Sequence, residues 1–473
     1  MARLLGYAGP MRGQAVRILA GLVFLGGVAA YLGGVAGLSV DDFTRLYVAF
    51  RWSRSPAFLQ VAAWPPLFSV LYGTAFRFFG FSLFLAHLIT AFCSALTIMA
   101  AATLAREISG EKLSGVFAAL LVALAPLPAW LSASTLSEPL GSALFLWFIV
   151  FALRWAKEPS RGAMDGALLS GLLCTMTRLE TWPWVIAFGA YAVLRKRDRR
   201  GLFMGLALWM FPLIWQAEIW WRFGHPLAEF RAHTAETLEY YAGSLGWRWI
   251  PLRTLLACFP AGMAFLVVLS GGRKHWPRHL RAFGVFVWVF AAVQLWALRS
   301  AQPTVFPERT VILPGLLSLV SLAAGLAVFQ RQAGVPAILK ILVIVVSLVA
   351  SIPGFFRLHL SYDRELVNLG RRLVTSPILA QARGGIGTDI SEGFTTLAAG
   401  SGSPRLFRRI YFRDGKLYLP EEDTPLSYLL ESREALAALK SVNPAFSAVS
   451  VGRFELVSTR REVAEEFGRK KGL

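Results

Sequence analysis

Two adjacent carboxylates, Asp41 and Asp42, stand where a long apolar run, AVRILAGLVFLGGVAAYLGGVAGLSV, gives way to DDFTRLYVAF, with Arg45 just beyond them. Neighbouring carboxylates repel each other, and an ionisable side chain at the end of a membrane span costs free energy if it faces lipid. The pair therefore points to a water-filled cavity and to one of two chemistries. It can supply a general base that takes a proton from a hydroxyl nucleophile, or it can hold a cation. A solvated anchor at the end of the span is the plain structural alternative.

Other charged side chains fall at similar places. Glu138, in LSEPLGSALFLWF, opens a helix, with Ser137 a candidate cap and Pro139 in the first turn. A carboxylate there offsets the helix dipole, whether or not it also meets a substrate. TRLETW puts Arg178 and Glu180 in one tight turn, where they either pair with each other or contact a substrate. In FPERTVILPGLL, Arg309 follows Glu308 at the start of an apolar run. Its guanidinium fork suits phosphate oxygens, though an interfacial arginine also snorkels without any ligand. His225 and His233 lack the spacing of a metal-binding helix and read as surface residues. Cys93, Cys174 and Cys258 lie in or beside apolar runs, with neither metal-ligand spacing nor a disulfide framework.

The elements that carry these groups are membrane spans. The chain has 473 residues, of which 56% are hydrophobic and only 16% charged, a composition of multi-pass membrane proteins. The net charge of +20 comes from basic residues in short loops between apolar segments, which argues for topology and against nucleic-acid binding. About eleven spans of roughly 20 apolar residues are expected, near 15–38, 83–105, 113–130, 138–155, 164–178, 181–194, 202–220, 253–270, 282–298, 310–329 and 335–356. The fifth and sixth are short enough to be tilted halves of one irregular unit. With a cytoplasmic N-terminus, the basic loops AREISGEKL, RWAKEPSRG, RKRDRR and GGRKHWPRHLR all fall inside, and every charged candidate named above falls outside. WPPLFSVLYGTAFRFFGFS reads as an interfacial amphipathic helix or the first half of a span.

After residue 356 the chain turns polar, and residues 357–473 read as one small extracytoplasmic domain of α/β or α+β type. YDRELVNLGRRLVTSPIL has helical spacing, FRRIYFRDGKLYLP reads as a hairpin around Asp414-Gly415, and FSAVSVGRFELVST as a strand pair joined at Gly452.

The order of these pieces resembles a known family. A cytoplasmic N-terminus, a first span surfacing into Asp41-Asp42, the WPPLFSVLYGTAFRFFGFS segment, then SASTLSEPL and GLLCTMTRLETWPW together are similar to polytopic glycosyltransferases of the C superfamily (GT-C). The likeness is to the family 39 type, which includes dolichyl-phosphate-mannose protein mannosyltransferases and lipid A aminoarabinose transferases. It covers residues 15–195 through motifs and 200–356 through topology. The resemblance implies a GT-C-like catalytic domain over residues 1–356, with a catalytic aspartate in the first outer loop, falling on Asp41 or Asp42. It also implies a polyprenyl-phosphate sugar donor used outside the cytoplasmic membrane. Many relatives have Asp-Glu where this chain has Asp-Asp, so either aspartate can be the match.

The residues suit that chemistry. A carboxylate activates an acceptor hydroxyl for direct, inverting displacement at the anomeric carbon, while arginine stabilises the departing lipid phosphate. Arg309 and Arg178 are the candidates beside the phosphate, with Arg45, Glu138 and Glu180 for donor or acceptor contacts. No cofactor is required, although a divalent cation could sit on the acidic pair. The partners expected are the lipid-borne donor, membrane lipid, and a glycan, lipid or protein acceptor. A transporter or lipid flippase is the main alternative, and a non-catalytic scaffold the second.

Overall fold

Pro126 divides what the sequence presents as a single span. Proline has no N–H and pushes the preceding residue out of the helical region. Accordingly, Ala125 is extended (φ −64°, ψ 129°) and helices α5 (Lys112–Leu124) and α6 (Pro126–Ser132) meet at a 68° bend. The first expected span is also shorter than the apolar run. Helix α1 (Pro10–Leu32) ends before Gly34, whose φ of 97° suits glycine, and a separate helix, α2 (Val40–Arg54), begins at the acidic pair.

The computed structural model describes residues 10–61, 64–196, 199–225, 278–300, 312–330, 364–375, 385–388, 394–409, 411–413, 416–418, 426–432, 447–451 and 454–458. The expected spans 253–270 and 335–356, together with His233, Glu308 and Arg309, lie outside them. The remaining helices of the first half are α3 (Leu67–Phe79), α4 (Leu83–Ser109), α7 (Glu138–Lys157), α8 (Arg161–Thr175), α9 (Trp182–Lys196) and α10 (Arg199–Phe223), followed by helices Arg278–Ser300 and Ile312–Gln330. The short fifth and sixth spans are thus two separate helices, α8 and α9, joined by a 3₁₀ turn at Leu179–Thr181. Among the described residues, α1, α4, α7 and α10 are each long and apolar enough to cross a bilayer, and α5 with α6 forms a fifth, broken crossing.

The chain forms two compact units. One comprises Met1–Gly34, Ala57–Phe68 and His87–His359. Within it α7 packs on α8, α9 on α10, and helix Ile312–Gln330 on α5. Helices α9 and α10 approach closely because two glycines face each other: a Cβ on Gly205 would lie 3.0 Å from the carbonyl oxygen of Gly189. The far ends of α4 and α7 are tied by Glu107, which accepts from Arg154 Nε at 2.7 Å and lies 3.7 Å from Lys157 Nζ. On α10, Met204, Leu208, Phe211 and Trp215 are buried while Phe203, Leu206, Met210 and Leu213 are exposed, so the helix is apolar on its outward face too. Such a helix suits lipid as its solvent. With its several apolar crossings, the protein is a multi-pass membrane protein.

The other unit comprises Val35–Pro56, Ser69–Ala86 and Leu360–Leu473. It holds α2, helices Arg364–Thr375 and Phe394–Gly400, and a five-stranded mixed sheet. Its strands are β1 (Gly385–Thr388), β2 (Phe407–Arg409), β5 (Leu426–Ser432), β6 (Ser447–Val451) and β7 (Phe454–Ser458), in the order β2-β1-β5-β7-β6. β1 runs parallel to β2 and β5; β7 runs antiparallel to β5 and β6. A further pair, β3 (Tyr411–Arg413) and β4 (Lys416–Tyr418), is antiparallel with Arg413 opposite Lys416, flanking Asp414-Gly415.

Candidate active site

Helix α2 begins at a capping box in which the two aspartates take different parts. Ser39, extended at φ −147° and ψ 166°, is the N-cap. Asp42, at the third helical position, is fully buried and turns one oxygen back. Its Oδ2 accepts from the Ser39 backbone N–H at 2.9 Å, the Ser39 hydroxyl at 3.0 Å and the Leu38 N–H at 3.2 Å. The Asp42 carboxylate therefore satisfies amides that the start of a helix leaves over. Asp41, one residue earlier, is half-exposed. Arg45 lies four residues after Asp41 and so occupies the same face one turn along. The signature was present in the sequence as Ser39-Val40-Asp41-Asp42, the S-x-x-D form of a capping box, and it separates two carboxylates that composition alone leaves equivalent.

In the other unit, Glu138, Arg178 and Glu180 come together. Arg178 Nη1 lies 3.1 Å from Glu138 Oε1, and Nη2 donates to Glu180 Oε1 at 2.5 Å. The side chains of Glu138, Arg178 and Glu180 are 1%, 8% and 14% exposed, so the cation sits between two carboxylates away from water. Three local features hold it there. Glu138 is in the first turn of α7, reached through a buried connection in which Ser134 donates to the Leu131 carbonyl at 2.7 Å and accepts from Leu136 N–H at 3.2 Å. Beyond Arg178, the Thr181 hydroxyl donates to the Arg178 carbonyl at 2.7 Å, and Trp182 Nε1 donates to the Thr175 carbonyl at 2.8 Å, closing the turn between α8 and α9. Finally, Gly141 leaves room for the arginine stem. A Cβ there would stand 2.7 Å from Arg178 Cδ and 2.9 Å from Cγ.

Because two ion pairs pin the guanidinium, the stem has little freedom to move aside. Replacing Gly141 with alanine gains about 1 kcal/mol of helix propensity and costs about 1–3 kcal/mol in overpacking. The expected net result is a lower unfolding temperature for Gly141→Ala in detergent, read by differential scanning fluorimetry. A rise would show that Arg178 yields readily.

The structure therefore sorts the expected site residues into two groups. Asp41, Asp42 and Arg45 share α2; Glu138, Arg178 and Glu180 form one buried cluster; Arg309 lies outside the described residues. His225 follows the end of α10, the helix that carries the Glu218–Arg222 pair in its last turns. Among the described residues, no three His, Cys, Asp or Glu side chains are grouped so as to hold a metal ion.

The same fold occurs in solved membrane enzymes. ArnT from Cupriavidus metallidurans bound to undecaprenyl phosphate aligns with a TM-score of 0.60 at 13% identity, covering 94% of this chain and 98% of that one. Its apo state aligns equally well. The chain has the GT-C fold. The archaeal oligosaccharyltransferase AglB from Archaeoglobus fulgidus, in complex with an inhibitory peptide and a dolichol-phosphate, aligns at 12% identity over 96% of this chain and 74% of that one, with a TM-score of 0.50. No protein-family model and no curated protein matches the sequence. At these identities the likeness is one of fold, so the GT-C resemblance drawn from the order of motifs is met at the level of architecture.

Proposed function

We propose that the protein is a membrane glycosyltransferase that moves a sugar from a polyprenyl-phosphate donor to a hydroxyl acceptor at the outer face of the cytoplasmic membrane. The N-terminus is then cytoplasmic and residues 357–473 lie outside. The fold shared with ArnT, which is solved with undecaprenyl phosphate, supports a lipid-phosphate donor. The observation that carries the mechanism is the division of labour on α2: Asp42 is committed to the helix start, and Asp41 is left half-exposed.

In this mechanism Asp41 takes the proton of the acceptor hydroxyl as its oxygen attacks the anomeric carbon. The new C–O bond forms as the bond from that carbon to the phosphate oxygen breaks, and the lipid phosphate leaves with the electron pair. Displacement from the opposite face inverts the centre. A cation beside the departing oxygen lowers the barrier. Arg178 is already neutralised by two carboxylates, so Arg45, one turn from Asp41 on the same helix, is the stronger candidate for that place. Glu138, Arg178 and Glu180 instead hold the ends of α7, α8 and α9 in register.

The test is donor consumption by the wild-type protein in proteoliposomes containing undecaprenyl-phosphate-linked hexoses or aminopentoses, with a membrane lipid and glycan extract as acceptor. Acceptor-dependent release of undecaprenyl phosphate from one donor is expected. If every donor stays intact while labelled lipid crosses the bilayer, the protein is a flippase.

A further inference from the structure

The helix that carries the acidic pair is gripped along one side by residues more than 300 positions later in the chain and in the same compact unit. Beginning one turn from the pair, Thr44 Oγ1 lies 2.8 Å from Thr395 Oγ1. Thr44 also donates to the Val40 carbonyl at 3.1 Å, and a hydroxyl has one proton, so with both contacts made Thr395 is the donor to Thr44. One turn further, the ring of Tyr47 meets Phe394 edge-on with centroids 5.2 Å apart. The guanidinium of Arg405 lies 6.0 Å from the ring centre of Phe50. The grip is itself backed from behind. A Cβ on Gly400 would meet Val367 at 2.8 Å and Phe43 at 3.4 Å, and one on Gly370 would meet the Leu397 carbonyl oxygen at 2.7 Å, so helices Phe394–Gly400 and Arg364–Thr375 are in close contact.

Thr44 is three residues from Asp41 and shares its side of the helix. A hydroxyl pair at that point opposes rotation of the first turn about the helix axis, the motion that would swing the Asp41 carboxylate. We propose that Thr395, with Phe394 beside it, is a positioning residue for the catalytic base, so that one task of the C-terminal segment is to aim Asp41. This role rests on Asp41 being the base. Misplacing a base by a fraction of an ångström impairs proton transfer more than it impairs donor binding.

The experiment compares Thr395→Val, Thr395→Ala and Thr395→Ser with wild type and Asp41→Asn, using undecaprenyl phosphate release in proteoliposomes as above, expressed per folded molecule. Either hydroxyl deletion is expected to lower kcat about tenfold with the donor KM unchanged within twofold, and Thr395→Ser to restore most of the loss. Adding Thr44→Val to Thr395→Val should cost no more than the larger single change, because both remove the same hydrogen bond. Wild-type kcat in both deletions, or a loss that serine does not recover, overturns the positioning role. If Asp41→Asn is inactive while Thr395→Val is normal, only this inference fails. If Asp41→Asn turns over normally, the base assignment fails and the inference with it.

Discussion

Asp41→Asn is expected to lower kcat by about 10²–10⁴-fold, the usual worth of a general base, with little change in unfolding temperature. Asparagine has the size of aspartate and retains a carbonyl oxygen, but it does not take up a proton at neutral pH. Asp41 is half-exposed and Asp42 is the residue that closes the capping box, so the loss should be one of chemistry rather than of folding. Asp42→Ala should behave in the opposite way. It removes the acceptor for two backbone amides and the Ser39 hydroxyl in a fully buried setting, and is expected to cost about 1–2 kcal/mol of stability with a smaller effect on kcat per folded molecule. Undecaprenyl phosphate release and detergent unfolding, measured on both variants, separate the two roles. If Asp42→Asn is inactive but stable while Asp41→Asn is active, the assignments must be exchanged.

Arg178→Met should be the most destabilising of the single changes considered, at about 3–5 kcal/mol, because it leaves Glu138 and Glu180 facing each other in a buried site with their cation removed. Thermal unfolding in detergent reads the loss. A second change, Glu138→Gln, removes one of the two charges and is expected to recover a large part of it. Arg178→Lys keeps the charge but lacks the fork that reaches both carboxylates, so it should fall between wild type and Arg178→Met. If Arg178→Met unfolds at the wild-type temperature but loses donor binding, the arginine belongs to the phosphate site and not to the frame.

Much of the architecture was legible in the sequence because lipid imposes a simple rule: a crossing needs a long apolar run, and the loops on one side are basic. That rule located α4, α7 and α10 closely. It failed at α5–α6, where the apolar run continues through a proline that breaks the helix, and at α1–α2, where Gly33 and Gly34 end a helix inside an unbroken apolar stretch. Hydropathy averages over the backbone events that decide both places.

For the candidate site, the sequence singled out the residue types but only part of their contacts. The turn TRLETW showed that Arg178 and Glu180 are neighbours; that Glu138 completes the cluster depends on the packing of α7 against α8, which no local pattern records. The difference between Asp41 and Asp42 was written locally, in the spacing from Ser39 to Asp42. The Thr44–Thr395 contact had no local signal, because it joins residues brought together only by the fold.

The most direct test of Asp41-assisted displacement is the anomeric configuration of the product. Once a donor of known configuration is turned over, nuclear magnetic resonance of the transferred sugar reads the coupling at the anomeric proton. A single inversion relative to the donor is the expected result. A product with retained configuration, formed by an enzyme that needs Asp41, would mean that the carboxylate attacks the sugar itself, and would contradict its role as the base.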